Sequence, residues 1–207
     1  AVPAATHAVA LTFDDGFANF ASAAVPTLIK RHAPATVFVV PGYVGKSNDW
    51  ESAAARSSIP HQPLMSWSEI GAVRSQGFEI GGHGTTHVSL RNADRQTLER
   101  EIVGCAATLE ERVGASPSSF AFPYGHHDAD AVAVAATTYS LACTTRFDFL
   151  TGSEGPHELP RLDMYYFRQG KMLARWGSPE FVAYVTARKV LRNARIAVRA
   201  RSNRGRE

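Results

Sequence analysis

The chain has 207 residues and 44% hydrophobic composition, which suits one domain with a substantial core and excludes wholesale disorder. No apolar run approaches the ~20 residues needed to span a bilayer, and no signal-peptide pattern is expected in the given chain, so the compartment stays open between cytoplasm and cell envelope. The net charge of +3 conceals a gradient, because residues 188–207 hold eight basic side chains against Glu207 alone.

Ala8–Phe13 is short and apolar and reads as a first strand, followed by Asp14-Asp15-Gly16. A helical pattern runs from about Phe20 to His32. Ala35–Val40 is continuous, β-branched and bounded by Pro34 and Pro41, which predicts a fully buried strand. Residues 41–64 are irregular, and a loop of that length suits a rim over a binding site, with His61 expected there as an ordinary loop residue. Ser66-Trp67-Ser68-Glu69 is a capping box that opens a helix ending near Gln76, with Gly77 at the stop. Phe78–Gly82 is a third strand that delivers His83 at its end. Asp94 is expected to cap a long helix running to Val113 and stopping at Gly114. Ser119–Phe122 reads as a fourth strand ending in Pro123-Tyr124-Gly125, then a helix near Asp128–Thr137 and a strand near Ser140–Thr144. Ser178-Pro179-Glu180 opens the last helix, with Pro well placed in its first turn and an amphipathic pattern over Phe181–Val198.

Strands alternating with helices imply a parallel sheet with crossover helices, as in an α/β barrel or a doubly wound sheet. Asp14 and Asp15, His83 and His87, and Pro123-Tyr124-Gly125 each follow a strand. In barrels, the C-terminal strand ends converge on the active site. Two imidazoles four residues apart can bind one divalent metal, and a carboxylate can complete a three-ligand site with a position open for water. Glycines at 81, 82 and 84 argue against a helical His pair, and no Glu lies between the histidines, which excludes the helical zinc-protease motif. The base must come from elsewhere, and Asp14 is the available carboxylate. Adjacent carboxylates on an extended segment point apart, so one can face a metal while the other moves a proton. Cys105 and Cys143 are too few for a disulfide framework and read as small core residues.

The chain resembles the polysaccharide deacetylases of the NodB-homology family, also called carbohydrate esterase family four, from about Ala8 to Met164. Thr12-Phe13-Asp14-Asp15-Gly16 is similar to the first family motif and His83-Gly84-Thr85-Thr86-His87 to the second, with Gly84 a departure. Phe120-Ala121-Phe122-Pro123-Tyr124-Gly125 is similar to the third, in a Phe-Ala-Phe-Pro-Tyr-Gly branch, and Leu159-Pro160-Arg161 to a late segment of that branch. The resemblance implies an α/β fold, a distorted, incomplete (β/α) barrel of NodB-homology type with a C-terminal amphipathic helix. One catalytic domain is expected over residues 1–187 and a basic helix end and tail over 188–207.

The implied activity is removal of N-acetyl groups from an acetylated amino-sugar polymer or oligomer. Asp15, His83 and His87 would hold Zn²⁺ or another divalent transition metal, and Asp14 would be the general base on the metal-bound water. The backbone N–H of Tyr124 would help hold the oxyanion, its side chain being assigned to packing, while Pro123, Tyr124 and Trp67 would line the substrate. Trp67 has a second reading as a core residue. Where the third motif commonly carries Arg, this chain has Ala121, and Arg161 could supply that charge. No His follows His157, so the proton donor to the leaving amine is open among His157, His126, His127 or none.

Two other readings stay beside this one: the same scaffold hydrolysing a non-sugar amide or O-acetyl ester, or a non-catalytic binder of glycan or an anionic surface. The basic tail suits such a surface, phospholipid or nucleic acid, or else a solvated helix end, with no specific nucleic-acid recognition expected.

Overall fold

Five short strands, β1 (Leu11–Phe13), β2 (Ala35–Val39), β3 (Glu79–Gly82), β4 (Ser119–Ala121) and β5 (Leu141–Cys143), pair in parallel in chain order. The computed structural model describes residues 8–50 and 60–204, with side chains to Ile196. The 51–59 part of the expected rim, and the side chains of Arg199, Arg201, Arg204 and Arg206, therefore lie outside the described residues. Each strand is shorter than its apolar run, because pairing begins only where a partner exists: Leu11 opposes Ala35, so Ala8–Ala10 precede the sheet.

Helices follow the strands as expected, in the manner of an incomplete (β/α) barrel. They are α1 (Val25–Lys30), α2 (Trp67–Ser75), α3 (Arg95–Leu98), α4 (Gly104–Val113), α5 (Ala129–Thr138) and α6 (Pro179–Arg204). The capping box is formed: Ser66 Oγ accepts from the Glu69 N–H and Glu69 Oε2 accepts from the Ser66 N–H. Asp94 and Asp128 cap α3 and α5 by accepting from Thr97 and Ala131, and Gly114 closes α4 in the left-handed conformation. The helix expected from Asp94 to Val113 is not uniform. Its middle, Glu99–Val103, is π-helical, an insertion that turns the succeeding side chains and recurs at functional sites.

Strand alternation sorts the core. Val37 and Val39 of β2 join Ile70, Val73 and Leu109 from α2 and α4, while Phe120 of β4 packs with Leu98, Ile102, Val134 and Ala135 from the α3–α4 run and α5. Phe38, Ala121 and Cys143 take the opposite face of the sheet. Burying each of the large aromatics contributes about 1.5–3 kcal/mol. Gly82 is required here by close approach, since a Cβ would lie 2.5 Å from the Tyr139 hydroxyl and 3.0 Å from Cys105 Sγ. Both cysteines are buried and unbridged, and burial pushes the Cys105 thiol up to about 12.

At the N-terminal ends of the strands, Glu79 ties three of them together. It accepts from Thr36 Oγ1 and from the hydroxyls of Ser118 and Ser119, each at 2.7 Å. That end of a barrel serves stability rather than chemistry.

The chain forms two compact units. The first runs to Thr144 and regains Gly155–Leu159, while the second comprises Thr145–Glu154 and the residues from Pro160 onward. In the second unit Phe181 and Val185 of α6 pack with Phe147 and Phe167. Among the described residues, no helix is long and apolar enough to cross a membrane.

Candidate functional site

Asp15, His83 and His87 meet at the C-terminal ends of β1 and β3. Asp15 Oδ1 lies 3.4 Å from His83 Nε2 and 3.2 Å from His87 Nε2, and one ligand atom from each of the three falls within 4.8 Å of the others. Both histidines are buried. Sequence separation is overcome by topology: β2 lies between β1 and β3 in a sheet whose strands all point the same way, so their following loops share one rim.

The remaining nitrogens fix the rings. His83 Nδ1 is 2.6 Å from the carbonyl of Ala121, and a carbonyl only accepts, so Nδ1 carries a proton and, in the neutral ring, the Nε2 lone pair faces Asp15. His87 Nδ1 is 3.0 Å from the Tyr124 hydroxyl. His83 Nε2, His87 Nε2 and one Asp15 carboxylate oxygen then converge on one point, a set of two imidazoles and a carboxylate. The donor set and the orientation of His83 by its outer hydrogen bond fit a divalent transition metal.

The charges agree. Burial pushes Asp15 up, but the two imidazoles outweigh it and hold the carboxyl well below its usual range. Burial presses His83 down, and the carboxylates of Asp15 and Asp14 overcome it and hold the ring above its ordinary value. In His87 burial wins and the value falls. Asp14, next to Asp15 in the chain, also raises both rings through its charge.

The backbone is bent to make this site. Asp15, His87 and Tyr124 all take positive φ, at 71°, 58° and 59°. Such conformations cost of order 1–3 kcal/mol each in non-glycine residues and cluster at functional sites. Gly84, a departure from the family motif, has φ +73°, and a Cβ there would come 3.1 Å from the Pro123 ring. The second and third motifs pack directly on each other at that point.

Three partners of the cluster carry little or no sequence signal. Glu101, fully buried on the π-helical segment, accepts from both the N–H and the hydroxyl of Thr86 at 2.8 Å. It therefore clamps the loop that joins His83 to His87. Trp50 lays its ring on His87 with centroids 4.4 Å apart, and Tyr43 meets Trp50 edge-on at 4.7 Å. The Tyr124 hydroxyl, assigned to packing from sequence, adds its contact to His87.

The other expected residues have the following surroundings. Trp67 packs against the first core cluster, with the Arg112 guanidinium 5.7 Å over its ring. Arg161 belongs to the second unit, where its N–H donates to the Arg146 carbonyl. His157 Nε2 lies 2.8 Å from the Tyr139 carbonyl. His127 stacks on Phe122 and reaches Glu158 at 3.3 Å. Of the three candidate proton donors, His126 has its ring against Tyr124, at 5.6 Å, and burial holds it below its usual value.

A sequence model of the family described as "Polysaccharide deacetylase" matches residues 1–139. A curated relative, "Putative polysaccharide deacetylase YxkH" of Bacillus subtilis (strain 168), is 23% identical over 155 residues, 74% of this chain and 50% of its own length. The chain thus spans half the length of that relative. The fold is similar to that of IcaB from Ammonifex degensii, with TM-score 0.65 and 26% identity over 80% of this chain and 70% of that one. It is likewise similar to the Streptococcus pyogenes deacetylase PplD in complex with acetate, with TM-score 0.63 and 24% identity over 73% of this chain and 62% of that one.

Proposed function

The chain belongs to the polysaccharide deacetylase family, and from that premise we propose that it is a divalent-metal-dependent hydrolase that removes N-acetyl groups from an acetylated amino-sugar polymer or oligomer. The observation that carries this reading is the convergence of Asp15 Oδ1 with both His Nε2 atoms, with a second carboxylate, Asp14, adjacent in the chain.

Asp15, His83 and His87 are assigned the cation, with Zn²⁺ as the preferred ion because two imidazoles and one carboxylate suit it and leave a position open. When bound, the ion supplies a Lewis acid that polarises the acetyl carbonyl and acidifies water. Asp14 takes the proton of the attacking water and holds it for the departing amine. Returning that proton frees the amine and leaves acetate, so the step balances without a further donor. The backbone N–H of Tyr124 is assigned to the developing oxyanion, where one preorganised donor is worth roughly 3–4 kcal/mol of barrier. The positive φ of Tyr124 and the packing of Pro123 on the second motif support a fixed orientation of that N–H. Pro123 and Tyr124 form the wall nearest the acetyl group.

The test combines metal analysis with acetate release from a panel of N-acetylglucosamine oligomers. Wild type is expected to bind one divalent ion and release acetate. Asp14→Asn is expected to retain the ion and lose turnover by at least a hundredfold, the lower end of a general base's contribution. Turnover near wild type in Asp14→Asn would remove Asp14 from the base role. Acetate released equally well from simple acetamides would replace the glycan substrate with a small amide.

A further inference from the structure

The described part of the rim after β2 is hydrogen-bonded to both loops of the proposed metal site. Met65 N–H donates to the carbonyl of Gly16, one residue beyond Asp15, and Phe17 bridges antiparallel to Leu64. Leu64 N–H donates to the Lys46 carbonyl and Gly45 N–H to the Met65 carbonyl, which pairs the two arms of the rim. At its other attachment, Gly42 N–H donates at 2.9 Å to the carbonyl of Thr85, inside the loop that joins His83 to His87. A Cβ on Gly42 would lie 2.5 Å from that oxygen, so the approach requires glycine. The rim is thus a strap from the Asp15 turn to the histidine loop, with backbone pairing at both attachments.

Trp50 is carried by this strap. It is 7% exposed and packs with Val40 and Leu64, while Tyr43 meets its ring edge-on. The indole and the His87 imidazole have centroids 4.4 Å apart and planes inclined by 33°, closer to stacked than to edge-on. The Tyr124 ring meets the same imidazole at 4.5 Å and 67°. His87 needs such support, because its φ of 58° is a conformation that persists only where the surroundings over-determine it. Electrostatics act in the same direction. An imidazole that gives its Nε2 lone pair to a dication becomes electron-poor, and the negative face of an indole attracts positive charge within about 6 Å.

We infer that Trp50 is a positioning residue for the reaction: stacked on His87, it holds that imidazole in its metal-binding orientation and strengthens binding of the divalent ion. The inference rests on the metal-dependent reading of the site.

The experiment measures Zn²⁺ affinity by chelator competition at a temperature where every variant is folded, alongside thermal unfolding of the metal-free full chain. Trp50→Leu is expected to weaken Zn²⁺ binding about tenfold, the lower end for loss of a residue that supports a ligand. Trp50→Phe is expected to stay within about threefold of wild type, because it keeps an aromatic face on the ring. Ile70→Ala, in the first core cluster, is expected to lower Tm and leave the affinity unchanged, which separates ligand positioning from general loss of packing. The chain has three tryptophans, so the double substitution Trp67→Phe with Trp176→Phe leaves Trp50 as the sole indole, and its emission is expected to change as Zn²⁺ binds. The inference is overturned by wild-type affinity in Trp50→Leu, by equal losses in Trp50→Leu and Trp50→Phe, or by an equal loss in Ile70→Ala. Emission from Trp50 that ignores bound Zn²⁺ overturns it as well. A wild-type chain that binds no divalent ion overturns the metal-dependent reading itself, and the role of Trp50 with it.

Discussion

Replacing Glu101 by Gln is the sharpest perturbation of the site that leaves every assigned ligand in place. Glu101 is fully buried, and its two oxygens accept from the Thr86 N–H and hydroxyl at 2.8 Å. Gln keeps the shape and one acceptor, but its NH₂ group confronts the second donor. Hydrogen bonds to charged groups contribute about 1.5–3 kcal/mol net, and an orphaned buried donor costs a similar amount. Glu101→Gln is therefore expected to destabilise the fold by about 2–3 kcal/mol. At about 2–4 °C per kcal/mol for a domain of this size, Tm falls by roughly 4–12 °C. Because Thr86 lies between His83 and His87 in the chain, freeing it also loosens ligand geometry. Loss of an outer partner of this kind typically costs 10–100-fold in metal affinity. Thermal unfolding gives the first quantity, and competition for Zn²⁺ with a chelator the second. A Tm within about 1 °C of wild type together with unchanged Zn²⁺ affinity would refute the clamp. A lowered Tm with intact affinity would confine Glu101 to scaffolding.

Tyr124→Phe removes the hydroxyl facing His87 Nδ1 and is expected to weaken Zn²⁺ binding by about tenfold with little change in Tm; unchanged chelator competition would show that the phenol does not orient the ring. Gly82→Ala is expected to destabilise by about 1–3 kcal/mol through overpacking, less in a Tyr139→Phe background because the obstructing hydroxyl is gone, and additive losses in denaturant titrations would disprove the steric cause. Burial pushes the Glu79 carboxyl up, but donation from Ser118, Ser119 and Thr36 outweighs it and holds the group below its usual range. Its contribution is then present above the ordinary carboxyl pKa of about 4.3 and is lost as pH falls through the lower folded value. Glu79→Gln is expected to cost roughly 1 kcal/mol at pH 7, discounted for partial exposure, and to flatten the acid limb of stability. An acid limb as steep as in wild type would contradict this.

The parts of the fold that could be read from sequence are those fixed by neighbours in the chain. Ala35–Val39 declares itself by β-branching between prolines, and the Ser66–Glu69 box by residues three apart. The candidate metal cluster was legible for a different reason: Asp15 and His83 come within two residues of a strand end and His87 lies on the loop after β3, so a parallel topology brings them together whatever the intervening segments do. What escaped depends on partners distant in sequence. Glu101 sits between Arg100 and Ile102 in a pattern that suits a solvated helix face, and only the π-helical turn and the Thr86 loop give it a buried role. Trp50 lies in an irregular stretch whose path is set by long-range pairing, Ser47 with Pro63 and Asn48 with Gln62. Trp67 illustrates the converse, since an aromatic at a helix start can face core or solvent, and here Arg112 and the first core cluster take it.

The excursion of the chain between β5 and α6 bears on how the protein can be shortened. Gly155–Leu159 returns to lie along β5, where Ala142 N–H donates to Pro156, Leu159 N–H to Ala142, and Thr144 N–H to Leu159. A fragment ending at Thr144 would keep all three assigned metal ligands yet strip that cover, leaving a bare strand margin that invites recruitment of a neighbouring molecule. Soluble minimal versions should therefore retain residues through Leu159, or splice that short return onto β5.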